Sequence, residues 1–124
     1  MKYLLTLLIV IIFCGLFFSP RTIIITDDLI KEYKIITAYN PVKSQTDHTP
    51  CISASGLNVC KTEKLVCACS REYEFGTKFL INGQVWECYD RLARKYDNRI
   101  DLLMYNYKDA KEFGKQLLEV IIIN

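Results

Sequence analysis

Two aspartates in the second half of the chain, Asp90 and Asp101, are candidates for acid–base chemistry. Asp101 stands among the apolar residues Ile100, Leu102 and Leu103. Burial among such neighbours disfavours the charged form of a carboxyl group, and a second carboxylate nearby raises its pKa further. A carboxyl group that keeps its proton near neutral pH can act as a general acid.

The cations near Asp101 support a competing, structural interpretation. Arg99 lies two positions before Asp101, so a regular strand places both side chains on one face. A cation at that distance favours the ionised carboxylate, and a bend or bulge would be needed to separate the two. In the structural alternative, Asp101 lies at a strand edge and pairs with Arg99, Lys78 or Arg94. Asp90 would then be a turn residue that opens a loop.

The other reactive side chains are six cysteines: Cys14, Cys51, Cys60, Cys67, Cys69 and Cys88. Five of them fall within 38 residues of the part that follows an apolar leader, which is typical of disulfides in an oxidising compartment. A zinc site is disfavoured, because Cys67-x-Cys69 lacks the usual two-residue spacer and His48 is the only histidine. Cys67 could also be a nucleophile with His48 as base, but an unpaired strand cysteine is usually a buried thiol.

The length and the net charge of the chain limit the kinds of protein that it can be. The chain has 124 residues and a net charge of +2, of which Lys2 supplies one, so residues 21–124 carry +1. Such a length allows one compact domain with one core, and the near-neutral charge excludes a concentrated basic face for nucleic acid. The one dense basic stretch, residues 91–95, is flanked by Asp90 and Asp97 and predicts a solvated loop. Its alternative is a contact to an anionic glycan or peptide.

The first 20 residues predict a signal peptide or a signal-anchor helix. Residues 3–18 are uncharged and mostly apolar, and they follow Lys2 as in a secretion signal. The run is short for a bilayer core of about 30 Å, although thinning and snorkelling can compensate. Bulky residues near Ser19 leave no clear cleavage site, which slightly favours an uncleaved anchor. We expect a cell-envelope protein, membrane-anchored through residues 3–18 or secreted, with its folded part in an oxidising extracytoplasmic compartment.

The rest of the chain predicts a mainly β domain after a connector over residues 21–33. Alternation and turn residues predict six short strands, at residues 34–39, 65–69, 78–81, 84–89, 99–104 and 118–123. Asn82-Gly83 is the strongest hairpin signal, and Asn106 offers an N-cap to a helix over residues 107–117. Cys51 and Cys60 are placed to close the long loop of residues 40–62, which would stabilise the fold by about 2–3 kcal/mol. These elements suit a small closed or semi-closed barrel with one short helix near the C-terminus.

A series of short motifs resembles a known family. In order they are Thr37-Ala38-Tyr39, Ser53-Ala54-Ser55-Gly56, Phe75-Gly76-Thr77-Lys78, Asp90, Asn98-Arg99-Ile100-Asp101 and Ala110-Lys111-Glu112-Phe113-Gly114. Followed by a terminal strand, this order resembles the 3D domain, named for three aspartates. That domain is similar to the double-psi β-barrels of membrane-bound lytic transglycosylases, resuscitation-type muralytic factors and lipoprotein-A-like proteins. The resemblance covers residues 34–123 and implies a six-stranded double-psi barrel over residues 34–124.

The resemblance implies cleavage of peptidoglycan glycan strands, without a metal or another cofactor. Asp101 matches the catalytic acid, Asp90 matches a second aspartate beside it, and Thr37 and Tyr39 match groove positions. Trp86 could add a sugar-stacking surface to these substrate-binding residues, although such aromatics more often pack. A lytic transglycosylase needs only one carboxyl group, which protonates the leaving oxygen and then accepts the proton of the muramyl 6-hydroxyl. That hydroxyl closes a 1,6-anhydro ring.

Two departures from the family pattern leave other functions open. The position of the first family aspartate falls on Cys69, and the loop over residues 91–98 has no glycine. Cysteine-bearing members imply a disulfide between Cys69 and Cys88 on adjacent strands. The barrel could therefore bind peptidoglycan or an envelope partner without cleaving it. It could also be a structural accessory protein of an envelope or a phage.

Overall fold

The computed structural model describes residues 29–123, which form six strands and one α-helix. The elements are β1 (Ile30–Tyr39), β2 (Val66–Cys69), β3 (Lys78–Ile81), β4 (Gln84–Arg91), β5 (Arg99–Leu103), α1 (Tyr107–Phe113) and β6 (Gln116–Ile123), with a 3-10 turn at Arg94–Tyr96. The predicted mainly β fold with a short helix near the C-terminus is confirmed. The predicted leader helix of residues 1–20 lies outside the described residues. Between residues 29 and 123, no helix has the length and apolar character needed to cross a bilayer.

The six strands close into a mixed barrel in the order β1-β5-β2-β4-β3-β6. Two neighbouring pairs, β1 with β5 and β2 with β4, are parallel, and the other four pairs are antiparallel. This closed six-stranded mixed barrel is compatible with a double-psi fold. Because parallel neighbours need long connections, residues distant in sequence are brought side by side on β1, β5, β2 and β4.

Strand alternation separates the interior of the barrel from its outer face. The interior is packed by Ile36, Cys67, Cys69, Phe79, Ile81, Trp86, Cys88, Ile100, Leu102, Val120 and Ile122. Since successive side chains point to opposite faces, Thr37 and Tyr39 of β1 lie outside, as does Asp101 of β5. The polar side chains of interest are therefore on the outer surface of the barrel.

The long loop of residues 40–62 covers part of this outer face. Val59 and Leu57 pack there in a second apolar cluster with Tyr39, Val66, Ala68, Tyr89, Leu92 and Leu103. The Cys51–Cys60 disulfide closes the loop, and Val59 N donates to Cys51 O at 2.8 Å. The loop is thus a fixed second layer whose position is set by burial and by a covalent bond.

Both predicted disulfides are present. Cys51 and Cys60 are bridged with a Cα–Cα distance of 5.2 Å, and Cys69 and Cys88 with one of 5.8 Å. The second bridge joins β2 to β4 inside the core. Two disulfides in one small domain indicate an oxidising compartment, in agreement with the predicted extracytoplasmic location.

Several element boundaries differ from the prediction, most of them by one or two residues and two of them, the start of β1 and the end of α1, by four. Strand β1 begins at Ile30, because residues 30–33, predicted as connector, pair with β6. Helix α1 ends at Phe113 instead of residue 117, since Gly114 has a φ of +63° that stops the helix, and β6 starts at Gln116. The predicted N-cap is confirmed, because the Asn106 side chain accepts from Lys108 N at 2.9 Å.

The Asn82-Gly83 hairpin provides a test of the fold. Asn82 has a φ of +50° and Gly83 a φ of +77°, as a two-residue turn between twisted strands requires. A Cβ atom at Gly83 would meet nothing within 4 Å, so Gly83→Ala adds only backbone strain. We expect a loss of about 1–2 kcal/mol in the free energy of unfolding by urea. The exposed Gln84→Ala variant should change it by less than about 0.5 kcal/mol; equal effects would contradict the turn assignment.

Candidate functional site

Four outer-face residues form a row across neighbouring strands. Thr37 of β1 pairs with Asp101 of β5, Asp101 pairs with Ala68 of β2, and Ala68 pairs with Asp90 of β4. Neighbouring strands lie about 4.8 Å apart, so the Cα atoms of the two aspartates are about 10 Å apart. The methyl group of Ala68 fills little of the space between them. The row thus places two carboxyl groups on either side of a small residue.

A groove of about 510 Å³ lies over this row. Its floor includes Tyr39, Ala68 and Asp101. One wall is made by residues between 45 and 54 of the disulfide-closed loop, and the other by residues 90–93 and 96. Both predicted aspartates therefore line one accessible groove, although they come from strands that are not adjacent.

Asp101 is a groove carboxyl group whose pKa is raised. Its burial raises the pKa from 3.8 to about 6, while the hydrogen bond from Thr37 and the charge of Arg99 act in the opposite direction. The negative charge of Asp90 adds to the rise. Thr37 Oγ1 donates to Asp101 Oδ1 at 3.0 Å and fixes one carboxyl oxygen. The influence of Arg99 expected from the sequence is present, but desolvation outweighs it.

Asp90 has a different environment, because its oxygens accept three hydrogen bonds. Tyr39 Oη donates to Oδ2 at 2.8 Å, while the backbone N–H groups of Ala54 and Arg91 donate to Oδ1 at 3.0 and 2.9 Å. Burial and the Asp90 charge raise the pKa of Tyr39, so its hydroxyl keeps the proton that it donates. Asp90 thereby joins β1, the covering loop and its own strand, and it positions the walls of the groove.

The predicted substrate-binding residues fall in three different places. Tyr39 lines the groove, with its hydroxyl directed to Asp90. Thr37 is not in the groove lining and instead holds Asp101. The prediction for Trp86 is wrong: it is 5% exposed in the interior cluster and pairs with Phe79, so it cannot stack on a sugar in the groove.

Tyr96 is a groove residue that no sequence pattern had assigned. Its ring lies at the rim, with Arg99 Cζ 4.2 Å and Lys95 Nζ 4.9 Å from the ring centroid. The only signal was an aromatic residue at the edge of the basic stretch. That stretch is solvated in part: Arg94 and Lys95 are exposed, but Arg91 Nη1 donates to Ser70 O at 2.7 Å.

The alternative of a cysteine nucleophile is wrong for this geometry. Cys67 is fully buried in the barrel and burial raises the pKa of its thiol, whereas His48 is exposed on the covering loop. A protonated, inaccessible thiol does not attack a substrate. In the part of the chain from residue 29 to 123, no three His, Cys, Asp or Glu side chains gather as metal ligands would.

The raised pKa of Asp101 predicts a pH dependence of stability. Between about pH 4 and 6 the native state binds more protons than the unfolded state, so its stability falls as the pH rises through this window. Asp101→Asn should remove this contribution, and at about pH 7 the variant should be more stable than wild type by on the order of 2 kcal/mol. Urea unfolding of both proteins across the window measures the difference. A constant difference would contradict the perturbed pKa.

Comparisons with known proteins found no relative of this chain. No protein-family model matches the sequence, and no curated protein matches it either. The chain is accordingly described by its own geometry: a closed six-stranded mixed β-barrel with two disulfides, whose outer face carries Asp90 and Asp101 in one groove.

Proposed function

We propose that the barrel cleaves peptidoglycan glycan strands as a lytic transglycosylase, with Asp101 acting first as acid and then as base. One observation carries the proposal: the carboxyl group of Asp101 lines an open groove, and its pKa is raised to about 6. A fraction of Asp101 is then protonated near neutral pH, while the conjugate base remains strong enough to accept a proton later. That balance is what a single-residue acid–base mechanism needs.

The reaction would proceed in two proton transfers at the Asp101 carboxyl group. Its proton passes to the glycosidic oxygen as the bond to the anomeric carbon breaks. The carboxylate then takes the proton of the muramyl 6-hydroxyl, whose oxygen bonds to the same anomeric carbon. The products are a glycan with a free 4-hydroxyl end and a 1,6-anhydro sugar, and no water is consumed. Thr37 orients the carboxyl group, and Asp90 holds Tyr39 and the loop wall in place.

We also propose that the domain belongs with the double-psi barrels of the 3D type. The order of the motifs and the closed mixed barrel support this assignment. Cys69, which stands at the position of the first family aspartate, is bridged to Cys88 in the core. A covalent link between β2 and β4 would replace a polar contact there. Residues 3–18 would hold the domain at the membrane or direct its secretion. In either case the barrel would face the cell wall.

Purified peptidoglycan sacculi, incubated with the domain at about pH 6, provide the test. We expect soluble fragments that end in 1,6-anhydromuramic acid, identified by mass spectrometry. Fragments with reducing muramic acid ends would indicate hydrolysis with water as the nucleophile, and would contradict the transglycosylase mechanism. Intact sacculi would contradict cleavage altogether.

A second candidate is a module that binds peptidoglycan without cleaving it. The bonds of Asp90 favour it, because a carboxylate that accepts three hydrogen bonds is committed to structure. Of these two aspartates only Asp101 then remains for chemistry, which disfavours a glycosidase mechanism that needs two carboxyl groups. Co-sedimentation with sacculi separates the candidates: retention on the pellet, with no fragments released, would support the binding module.

A further inference from the structure

We propose that the outer face of β3 and β6 docks on the surface of a lipid bilayer, so that the barrel lies on the membrane with its groove turned away from it. The bilayer would bind exposed apolar side chains of these strands and their neighbours at the level of the lipid headgroups. This inference rests on the predicted membrane anchor of residues 3–18. It does not depend on whether the groove cleaves glycan strands or only binds them.

Strand alternation produces an apolar outer face on this side of the barrel. Ile122 of β6 and Phe79 of β3 point into the interior, so their neighbours along each strand point outward. In the register of the strands, Leu80 lies directly beside Ile121 on one side and Val85 on the other. With the outward residues of β1 and the rest of β6, these side chains form what we call the apolar face: Tyr33, Ile35, Leu80, Val85, Leu117, Ile121 and Ile123.

The apolar face is exposed, whereas the opposite side of the barrel is covered. Tyr33 is 70% exposed, Leu117 67% and Val85 42%. On the groove side the long loop of residues 40–62 packs over the outer apolar side chains, and Ala68 there is 4% exposed. Large apolar side chains that are grouped on one exposed face mark a surface for a partner or a membrane.

The apolar face lies across the barrel from the groove. In the closed strand order β1-β5-β2-β4-β3-β6, the neighbours β3 and β6 are opposite the neighbours β5 and β2. Strands β5 and β2 carry Asp101 and Ala68 of the groove floor. A surface that binds the apolar face therefore leaves the groove open on the far side.

The path of the chain favours a bilayer as the occupant of the apolar face. Strand β1 begins at Ile30, which pairs with Ile122 of β6, so the chain enters the barrel beside this face. Residues 19–28 separate the predicted anchor from the described chain and can span at most about 35 Å. A barrel tethered so closely docks on its own membrane intramolecularly, for which a weak affinity is sufficient.

The charges around the apolar face suit anionic lipid headgroups. Lys31 and Lys78 are exposed at outward positions beside Ile121 and Ile123, and no ion pair found among residues 29–123 includes either lysine. The acidic residue on this face of β6 is Glu119. The two lysines thus outweigh it, and each lysine near an anionic membrane surface adds binding free energy.

A bilayer surface also fits better than a second copy of the chain. The barrel is closed, so it has no open strand edge to which another copy could add a strand. Tyr33, the most exposed of the large apolar side chains, has the amphipathic ring that is typical of the membrane–water interface. Lysines beside it can extend their amines to the headgroups while their methylene groups stay in apolar contact.

Tryptophan reporters in the full chain test the orientation. The chain is inserted into nanodiscs of phosphatidylcholine and phosphatidylglycerol whose acyl chains carry bromine, which quenches tryptophan on contact. Tyr33→Trp places a reporter on the apolar face, and Tyr96→Trp makes the same change at the groove rim. Trp86 is the one native tryptophan and is buried in the barrel, so wild type supplies the background. We expect bromine to quench the emission of Tyr33→Trp and to leave that of Tyr96→Trp at the wild-type level.

Substitutions in the Tyr33→Trp background test which contacts hold the barrel down. Leu117→Ser should lower the ratio of docked to undocked protein by roughly tenfold. Val85→Ser should lower this ratio by roughly threefold, whereas Val42→Ser should not, although Val42 is equally exposed at 42% on the covering loop. Lys31→Gln should lower the ratio by roughly fivefold in discs with phosphatidylglycerol and leave it unchanged in discs of phosphatidylcholine alone. Thermal unfolding confirms that each variant is folded.

The other results would overturn the inference. An unquenched Tyr33→Trp, or equal quenching of both reporters, would show that the barrel does not lie on its apolar face. A Tyr33→Trp that is shielded from aqueous iodide but not quenched by bromine, in discs with two chains only, would assign the face to a second copy. A full chain that does not enter the discs would remove the anchor on which the inference rests. Digestion of sacculi is measured separately, so its failure would contradict the proposed function and leave the docking result unchanged.

Discussion

Asp101→Asn should lower the rate of anhydro-sugar release from sacculi by roughly 10²- to 10⁴-fold, the usual contribution of a general acid. The amide cannot donate a proton to the glycosidic oxygen or accept one from the 6-hydroxyl. Because asparagine keeps the size of aspartate and can still accept the hydrogen bond from Thr37, the groove should retain its shape. Binding to sacculi should therefore persist while turnover is lost. Fragment release followed by chromatography measures the rate, and co-sedimentation measures binding.

Asp109→Asn is a matched control for this experiment. Asp109 is exposed on α1, away from the groove lining, so the same change of carboxyl to amide should leave the rate within about twofold. An Asp101→Asn protein that digests sacculi as fast as wild type would refute the mechanism. The rate of wild type should also fall as the pH rises above about 6, where Asp101 loses its proton.

Removal of the core disulfide should have the largest effect on stability. The Cys69–Cys88 bridge spans a sequence separation of 19, for which chain entropy gives about 3 kcal/mol. The double variant Cys69→Ala/Cys88→Ala also leaves unfilled space in the core, because both side chains are fully buried. We expect the melting temperature to fall by roughly 10–20 °C, measured by calorimetry under non-reducing conditions.

The loop disulfide is the natural comparison for that variant. Cys51–Cys60 has a separation of 9 and Cys60 is exposed, so Cys51→Ala/Cys60→Ala should lose about 2–3 kcal/mol and create little cavity. Its main consequence should be a less ordered groove wall, seen as weaker binding to sacculi. If the loop variant were the less stable of the two, the assignment of the Cys69–Cys88 bridge to the core would be wrong.

Local signals in the sequence predicted the elements well. Asn82-Gly83 fixed a hairpin whose φ values are both positive, and Asn106 marked the start of α1. The end of α1 was missed, although Gly114 is the residue type that ends helices and was visible in the sequence. The early start of β1 could not be read from residues 30–33, because their strand pairing depends on β6 at the far end of the chain.

The arrangement of residues in the groove depends on the order of the strands in the barrel, and no local sequence pattern predicts that order. The sequence indicated Asp90 and Asp101, but Ala68 lies between them only because β2 is inserted between β4 and β5. Trp86 could have been placed correctly by a simple argument. It is two residues before Cys88, so both share one face of β4, and a disulfide in the core implies that Trp86 is in the core as well.

The register of β2 against β4 gives Cys88 a choice of sulfur partners. Cys67 is its paired neighbour across the two strands, at a Cα spacing of about 4.8 Å that a disulfide can span. A Cys69→Ala protein would consequently not be a reliable bridge-free control, since oxidation could join Cys67 to Cys88 instead. The isomers with a Cys69–Cys88 or a Cys67–Cys88 bridge have the same intact mass. Peptide mapping of the disulfide bonds is therefore needed to distinguish them. In a Cys67→Ala variant, Cys69–Cys88 would be the one disulfide that oxidative refolding can form in the barrel interior.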